Sequence, residues 1–255
     1  YDWIWFHENP REDAEAILKE KGVDLQKPLV GLLTNVAWDA QLHYPANAFK
    51  DMFEWLKVTI EYFKKRPDLQ LIIRVHPAEI RGTLPSRQKV CDELKRMFPR
   101  LPANIFVIAP EENVSTYAIM EKCRAVILYG TKMGVELSVF GIPVIVAGEA
   151  WIRHKKISVD ISNPEEYAQV LNRLPQIQDL GPDRLQKARR YAYHFFFRRM
   201  IPLPCMKSSK WHRPYTVALR SLSELLPGRM PGLDVICDGI LNGKEFIYPS
   251  ETLDP

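Results

Sequence analysis

The feature that most constrains the fold lies near the middle of the chain, where two short apolar runs flank a glycine, a lysine and a helical pattern. Ala125–Leu128 and 143–146 are continuous apolar runs, which is typical of parallel strands covered on both faces. Gly130 allows a sharp turn after the first run, and Thr131 can cap the helix that follows. The spacing predicts a strand, turn, helix and strand with an anion site at the helix start, and Glu136 close enough to reach a sugar hydroxyl.

Strand and helix signals alternate along most of the chain. We predict strands at 29–35, 69–75, 105–108, 125–128 and 143–146, and helices near 11–21 and at 48–65, 86–98, 115–122, 164–173, 183–200 and 215–226. Because neighbouring parallel strands need helical crossovers, this pattern predicts an α/β fold with a doubly wound parallel sheet and extra C-terminal helices. We expect an N-terminal linker and helix at 1–27 and the sheet domain at 28–180. Residues 181–255 should form C-terminal helices, followed from residue 227 by an irregular tail, because that tail is richer in Pro and Gly.

Composition places the chain among ordinary globular proteins, since 46% of its 255 residues are hydrophobic and 26% are charged. No apolar run reaches the ~20 residues of a membrane span, and the sequence does not start like a signal peptide, so we expect a cytoplasmic protein. The four cysteines are far apart and form no CxxC motif. This spacing argues against a zinc site and a disulfide framework.

Positive charge is concentrated in one stretch. Between Arg184 and Arg220 there are ten Lys and Arg residues and no Asp or Glu, although the net charge of the chain is only +4. One interpretation is a helix that packs its aromatic residues on the core and leaves its arginines in solvent. The other is a surface for phosphates of a nucleotide, a lipid-linked acceptor or the inner membrane. No nucleic-acid module is recognised, and nucleic acid is not an expected partner.

Polar residues follow every predicted strand. Ligands of parallel sheets bind outside the carboxyl ends of the strands, so these residues form the candidate site. In chain order they are Asn35, Asp39, Arg74, His76, Ser115, Thr116, Tyr129, Gly130, Thr131, Lys132, Glu149 and Arg153. Some have a structural alternative, because Ser115 or Thr116 can simply cap a helix and Asn35 can form a turn.

His76 is the strongest single candidate. It directly follows an apolar strand, and it could donate a hydrogen bond to a phosphate or titrate near neutral pH. Arg74 stands in the same strand and needs a carboxylate or phosphate partner if it is buried. With Lys132 and Arg153, these cations favour an anionic ligand linked to a nucleotide.

The sequence lacks the motifs of several common enzyme classes. It contains no GxxxxGK[ST], GxGxxG or GxSxG motif, and no Asp-x-Asp pair that could hold a divalent ion beside a diphosphate. We therefore expect no cofactor and no obligatory metal. Charge on a leaving phosphate would be met by side chains and helix dipoles.

Three motifs together resemble the C-terminal, donor-binding domain of GT-B glycosyltransferases, in particular bacterial capsule polysaccharide biosynthesis proteins, including those that use CMP-activated sugars. The motifs are His76-Pro77, Ser115-Thr116, and Gly130-Thr131 with Glu136 followed by Gly141-Ile142-Pro143-Val144. The resemblance covers residues 29–153 and implies a Rossmann-like domain that binds a nucleotide-sugar donor. It implies that His76, Ser115 and Thr116 contact the donor phosphate and that Glu136 binds the ribose.

The sequence departs from that family in two respects. Leu128 occupies the position where the largest group of retaining enzymes has a second glutamate. A complete GT-B enzyme also has two Rossmann-like domains, and only one fits here, so we expect the donor-binding half of a longer protein rather than a compact one-domain relative. Asp39, Glu149 and His76 are the catalytic candidates, and the two carboxylates could equally be solvated.

Three functions remain open at this point. The first is sugar transfer to a capsule or cell-envelope glycan, with a lipid-linked or glycan acceptor. The second is a sugar-nucleotide 2-epimerase, whose C-terminal domain is similar and which needs no acceptor. The third is a module that binds a nucleotide or an anionic glycan without turnover.

Overall fold

The structure, a computed structural model, describes residues 8–39, 44, 47–81, 85–208 and 215–253. Of these, 8–189 form one compact unit and 190–253 form a second. The strands of the larger unit are β1 (Leu29–Leu33), β2 (Gln70–Arg74), β3 (Ile105–Ile108), β4 (Ala125–Leu128), β5 (Val144–Val146) and β6 (Val159–Asp160). Its helices are α1 (Ala14–Glu20), α2 (Met52–Lys64), α3 (Ala78–Arg81), α4 (Val90–Met97), α5 (Thr116–Met120), α6 (Met133–Val139), α7 (Pro164–Asn172) and most of α8 (Pro182–Tyr193).

The six strands form one parallel sheet in the order β3-β2-β1-β4-β5-β6. β1 lies in the middle and pairs with β2 on one side and β4 on the other. The chain therefore winds outwards from β1 in both directions, and the point between β1 and β4 is a topological switch point. This order confirms the predicted α/β fold with a doubly wound parallel sheet.

Both faces of the sheet are covered by helices. On one face, Trp55 of α2 donates its indole hydrogen to the hydroxyl of Tyr167 on α7 at 3.0 Å, and Thr59 contacts the same hydroxyl at 2.7 Å. All three side chains are fully buried. On the other face, Gly31 of β1 lies so close to α5 that a Cβ atom would collide with the sulfur of Met120. The central strands are thus mostly apolar because helices exclude water from both sides, although β2 begins with Gln70 and ends with Arg74.

The sequence analysis missed one strand of the sheet. β6 is only two residues long and pairs in parallel with β5. Two residues are too few to show an apolar run or an alternating pattern. The expectation that the sheet ends after residue 146 is therefore wrong.

The second unit differs more from the prediction. Residues 215–226, expected to be helical, instead form β8 (Tyr215–Val217), paired antiparallel with β7 (Met206–Ser208), and a 3₁₀ helix at Leu222–Leu225. The aromatic and β-branched residues of β8 are strand formers, and their preference prevails over the helical spacing. The helix predicted at 183–200 is α-helical to Tyr193 and continues as a π-helical turn at His194–Arg198.

The tail expected to be irregular contains a twelve-residue helix, α9 (Pro231–Asn242), and the short α10 (Ser250–Leu253). Pro231 occupies the first turn of α9, and Gly243 ends it with φ of 68°. The proline and glycine that suggested irregular chain are therefore the start and stop signals of a helix. None of the helices in the described part of the chain is long and apolar enough to cross a membrane.

Candidate functional site

Asn35 bridges the two loops that meet at the switch point. Its amide nitrogen donates to the carbonyl oxygen of Gly130 at 2.6 Å and to Oδ2 of Asp39 at 3.0 Å. Its amide oxygen accepts from the backbone nitrogen of Val36 at 2.8 Å. The structure therefore brings Asn35, Asp39 and Gly130 together, and Asn35 holds both the β1 and β4 loops and the Asp39 carboxylate in place.

His76 stands beside this bridge and is neutral at pH 7. Its backbone nitrogen donates to Oγ1 of Thr34 at 3.1 Å, and its Nδ1 accepts from the backbone nitrogen of Ala78 at 3.1 Å. Burial lowers the pKa of His76 to about 4, and the charge of Arg74 acts in the same direction against a smaller opposing effect of Asp39. The single ring proton is thus on Nε2, which is a hydrogen-bond donor. Of the two roles expected for His76, this environment favours donation to an anion.

Arg74 is buried, with 2% of its surface exposed, and holds the loop after β3. Its guanidinium donates to the carbonyl oxygens of Ala109 at 2.6 Å and Glu112 at 3.3 Å, and to Oγ1 of Thr116 at 3.3 Å. Burial lowers its pKa to about 10, while the carboxylates of Glu112 and Glu111 oppose that change. The partners of the buried arginine are thus carbonyl and hydroxyl oxygens rather than the carboxylate or phosphate that its burial suggested.

Glu136 lies in the first turn of α6, and Oε2 of its carboxylate accepts a hydrogen bond of 2.9 Å from the hydroxyl of Tyr117. Thr131 accepts at 3.4 Å from the backbone nitrogen of Met133, so it does support the start of α6. Ser115 caps α5 by accepting from the backbone nitrogen of Ala118 at 3.4 Å. Ser115 is thus the N-cap of α5, whereas the N-cap position of α6 is Lys132, which makes no side-chain cap hydrogen bond, so Thr131 does not cap α6 as predicted.

Tyr129 lies in the core rather than on the surface of the site. It is fully buried, and its hydroxyl donates to the carbonyl oxygen of Phe49 at 2.9 Å. Gly148 approaches the Tyr129 carbonyl so closely that no side chain fits, and Asn47 accepts from the backbone nitrogen of Glu149 at 3.1 Å. The loop after β5 is therefore packed directly against the end of β4.

The two remaining cations differ in exposure. Lys132 is exposed at the start of α6, whereas Arg153 is 4% exposed beneath the loop after β5. Arg153 donates to the carbonyl oxygens of Gly148 at 3.1 Å and Val146 at 3.4 Å. Only Lys132 of this pair therefore presents its side chain to solvent.

Three exposed aromatic residues at the same edge were not predicted as site residues. Trp38 after β1, Tyr117 at the start of α5 and Trp151 after β5 have 50%, 43% and 64% of their surface exposed. The indole of Trp38 donates to Oγ of Ser86 at 3.1 Å. The signal that could have identified them is an aromatic residue in a polar segment after a buried strand. An aromatic residue that only packs would be buried in the core instead.

A buried carboxylate follows His76. Glu79 of α3 is fully buried, and both of its oxygens accept from the backbone nitrogen of Val90, the first residue of α4. Burial raises the pKa of Glu79 to about 7. In the described part of the chain, no group of three or more His, Cys, Asp and Glu side chains is arranged to hold a metal ion.

No family model matches the sequence, and no curated protein matches it either. Similar solved structures include a putative UDP-N-acetylglucosamine 2-epimerase from Listeria monocytogenes, 15% identical with a TM-score of 0.45 over 70% of this chain and 46% of that one. The S. aureus MnaA–UDP co-structure is 15% identical with a TM-score of 0.47, over 74% and 48%. KpsC of Thermosulfurimonas dismutans, a β-Kdo 2,4 transferase, is 17% identical with a TM-score of 0.42, over 66% and 44%.

The neighbours are glycosyltransferases and sugar-nucleotide 2-epimerases, and this chain spans less than half the length of each of the three. The predicted Rossmann-like fold is confirmed by the structure of the chain itself. That fold follows independently from the strand order, which is that of a Rossmann-like sheet.

Proposed function

We propose that this chain is the donor-binding portion of a GT-B glycosyltransferase that acts in capsule or cell-envelope polysaccharide synthesis. The observation that carries the proposal is the convergence of Asn35, His76 and Glu136 on the carboxyl edge of the sheet around the β1/β4 switch point. Open α/β sheets bind nucleotides in the crevice at this position.

Each residue has a defined task in this proposal. The Nε2 hydrogen of His76 donates to a donor phosphate, and the exposed Lys132 adds positive charge near it. The Glu136 carboxylate accepts from the ribose hydroxyls, and Tyr117 orients it. Asn35 keeps the two loops of the crevice at a constant separation.

Transfer would form a bond between an acceptor hydroxyl oxygen and the anomeric carbon, and it would break the bond from that carbon to the phosphate oxygen. The acceptor proton passes to a base, and the nucleotide leaves with the bonding electrons. Asp39, held by Asn35, and Glu149 are the candidates in this chain for that proton or for orienting a sugar hydroxyl. The leaving phosphate is stabilised by His76 and Lys132 without an obligatory metal.

A peripheral contact with the anionic inner membrane, or with a lipid-linked acceptor, is also proposed for the basic stretch between Arg184 and Arg220. Residues 209–214 of this stretch lie outside the described part of the chain. Supporting the proposal, Arg199, Lys207 and Arg220 are exposed in the second unit. That unit also exposes large apolar side chains, among them Leu222, Ile240 and Leu241 at 79%, 70% and 78%.

Calorimetric titration of the chain with UDP-, GDP-, CDP- and CMP-sugars, followed by assay of the donor, tests the proposal. Binding of one nucleotide class with transfer or slow hydrolysis supports a glycosyltransferase. Conversion of the donor to its 2-epimer without acceptor would indicate the epimerase, and binding without any turnover would indicate a recognition module. No binding of any of the four classes overturns the proposed nucleotide site.

A further inference from the structure

The loop between β5 and β6 contains two residues in an unfavourable backbone conformation. His154 and Lys156 have φ of 61° and 60°, in the left-handed region that glycine adopts most readily. Among the described residues, Asn9 is the only other non-glycine residue with positive φ. Such conformations persist where the surroundings enforce them, and they concentrate at functional sites.

The surroundings of this loop do enforce its conformation. Ile152 before the strained residues and Ile157 after them are both fully buried. The carboxylate of Asp160 on β6 accepts from the backbone nitrogen of His154 at 2.7 Å and from the hydroxyl of Ser158 at 2.6 Å. The loop is therefore fixed by apolar contacts at both ends and by hydrogen bonds in the middle.

A buried positive charge lies within the same loop. Arg153 is 4% exposed, and its hydrogen-bond partners in the described part of the chain are two carbonyl oxygens. Its Nε has no partner among the described residues. A guanidinium that is buried without a carboxylate partner favours an anion nearby.

The outward side of the loop combines an aromatic ring with a lysine and a histidine. Trp151 is 64% exposed and Lys156 is also exposed. The side chain of His154 is 74% exposed, with its Nδ1 4.0 Å from Oδ2 of Asp160. An aromatic face suits the apolar face of a sugar ring, while the ammonium group of Lys156 and an imidazole N–H group suit an oxyanion. β5 pairs with β4, so the loop leaves the sheet one strand away from the switch point.

We propose that residues 151–157 form an oxyanion-recognition loop, which binds a carboxylate or phosphate group of a saccharide against the ring of Trp151. The proposal rests on the proposed function only for the saccharide. The oxyanion has two sources, a phosphate of the donor or a carboxylate of an acidic sugar. His154 and Lys156, the two strained residues, are exposed in this loop, which also contains the buried Arg153.

The test uses NMR titration of the full chain at constant ionic strength, with the indole N–H signal of Trp151 identified by Trp151→Phe. The probes are inorganic phosphate, glucuronate and glucose. We expect a saturable shift with phosphate or glucuronate and none with glucose. Stronger binding of phosphate assigns the group to a phosphate, and stronger binding of glucuronate assigns it to a carboxylate. No saturable shift with either anion overturns the proposal.

Variants separate charge from backbone strain. Lys156→Gln should weaken anion binding roughly two- to fivefold, as expected for an exposed charged contact. His154→Gly and Lys156→Gly should also weaken binding, yet each should raise Tm by about 2–4 °C because glycine relieves the strain. Arg100→Gln removes an exposed cation before β3, at the opposite edge of the sheet, and should change neither property.

Two results contradict the loop proposal. The first is that the glycine variants bind phosphate and glucuronate as tightly as the original chain. The second is that they lose thermal stability, which would mean that the backbone is not strained. The NMR test uses no nucleotide, so the two proposals fail independently. A failure of nucleotide binding overturns only the proposed function, and a failure of anion binding overturns only the loop proposal.

Discussion

Tyr117 donates its hydroxyl hydrogen to Glu136 at 2.9 Å, which links the first turn of α5 to the first turn of α6. Burial, reinforced by the Glu136 carboxylate, raises the pKa of the phenol, so Tyr117 remains a donor throughout the physiological range. One oxygen of the Glu136 carboxylate therefore accepts a hydrogen bond from the protein, and this bond fixes the orientation of the other oxygen. This relationship makes Glu136 the sharpest test of the nucleotide site.

We predict that Glu136→Gln weakens binding of the preferred ribonucleotide roughly ten- to hundredfold, since the loss of a charged hydrogen bond costs about 1.5–3 kcal/mol. Calorimetry measures the change. Tyr117→Phe keeps the carboxylate and should cost less. The loss should be smaller for the matching 2′-deoxynucleotide, which lacks one of the two hydroxyls, whereas an equal loss for both nucleotides would show that Glu136 does not contact the 2′-hydroxyl.

Removal of divalent cations with EDTA should leave nucleotide affinity within about twofold, because His76 and Lys132 rather than a coordinated ion meet the phosphate charge. The same calorimetric titration, with and without added magnesium or manganese, measures the effect. A complete dependence on either ion would place a metal between protein and phosphate and contradict the proposed roles of these two side chains.

Glu79 should make stability fall as the pH rises towards neutrality. Its pKa is raised to about 7 by burial, against an ordinary value of 4.5, so the folded chain holds a proton that the unfolded chain releases between these values. The contribution of this proton to the free energy of unfolding is complete below pH 4.5 and is lost as the pH rises through 7. Thermal unfolding of Glu79→Gln, compared with the original chain from pH 4.5 to 8, should lack this fall.

His76 should have the opposite effect on stability in the same pH series, because its pKa is lowered rather than raised in the folded chain. Its pKa is lowered to about 4 from 6.5, so the unfolded chain binds a proton between these values and the folded chain does not. Its contribution is complete above pH 6.5 and is lost as the pH falls to 4. His76→Asn should flatten the acid side of the profile only; identical profiles for both variants would contradict the assignment of these two groups.

Vesicle binding tests the basic stretch. Arg199, Lys207 and Arg220 are exposed, and changing all three to Gln should reduce co-sedimentation with anionic vesicles about tenfold or more at low salt, since each nearby cation contributes about 1 kcal/mol. Arg198 stays unchanged because it lies 3.4 Å from a carboxylate oxygen of Glu251. Neutral vesicles should bind weakly, and added salt should abolish the difference.

The matched control changes three exposed cations of the larger unit, Lys57, Lys95 and Arg100, to Gln. Equal loss of vesicle binding in both triple variants would show a dependence on net charge alone. A large drop in Tm for the first variant without any vesicle binding would show that its cations stabilise the fold instead.

The sequence predicts five of the six strands of the parallel sheet. The bounds of β3 and β4 agree with the prediction to the residue, whereas β1 and β2 are shorter than predicted although they are fully buried. β6 could not be found, since two residues show no periodicity. In the second unit, turn and helix signals share the same residue types, and Pro231 and Gly243 were interpreted as irregular chain rather than as the ends of α9.

The sequence predicts a candidate site at one edge of the sheet, but it does not predict the contacts of the residues there. Sequence identifies a polar residue after a strand, yet it does not show which backbone carbonyls lie within reach. Arg74 and Tyr129 are engaged by such carbonyls inside the protein. Tyr117 was missed for the converse reason, because its partner Glu136 is distant in sequence and becomes adjacent only when β4 joins the sheet.

The central position of β1 has a consequence for the synthesis of this protein. β1 can pair with β2 soon after it leaves the ribosome, but its other edge waits for β4, whose last residue, Leu128, pairs with Leu33. At 5–20 residues per second, that apolar edge stays open for roughly 5 to 20 seconds. During this interval the nascent chain presents an unpaired strand of the kind that chaperones cover, and slower translation before residue 128 would lengthen its exposure to aggregation.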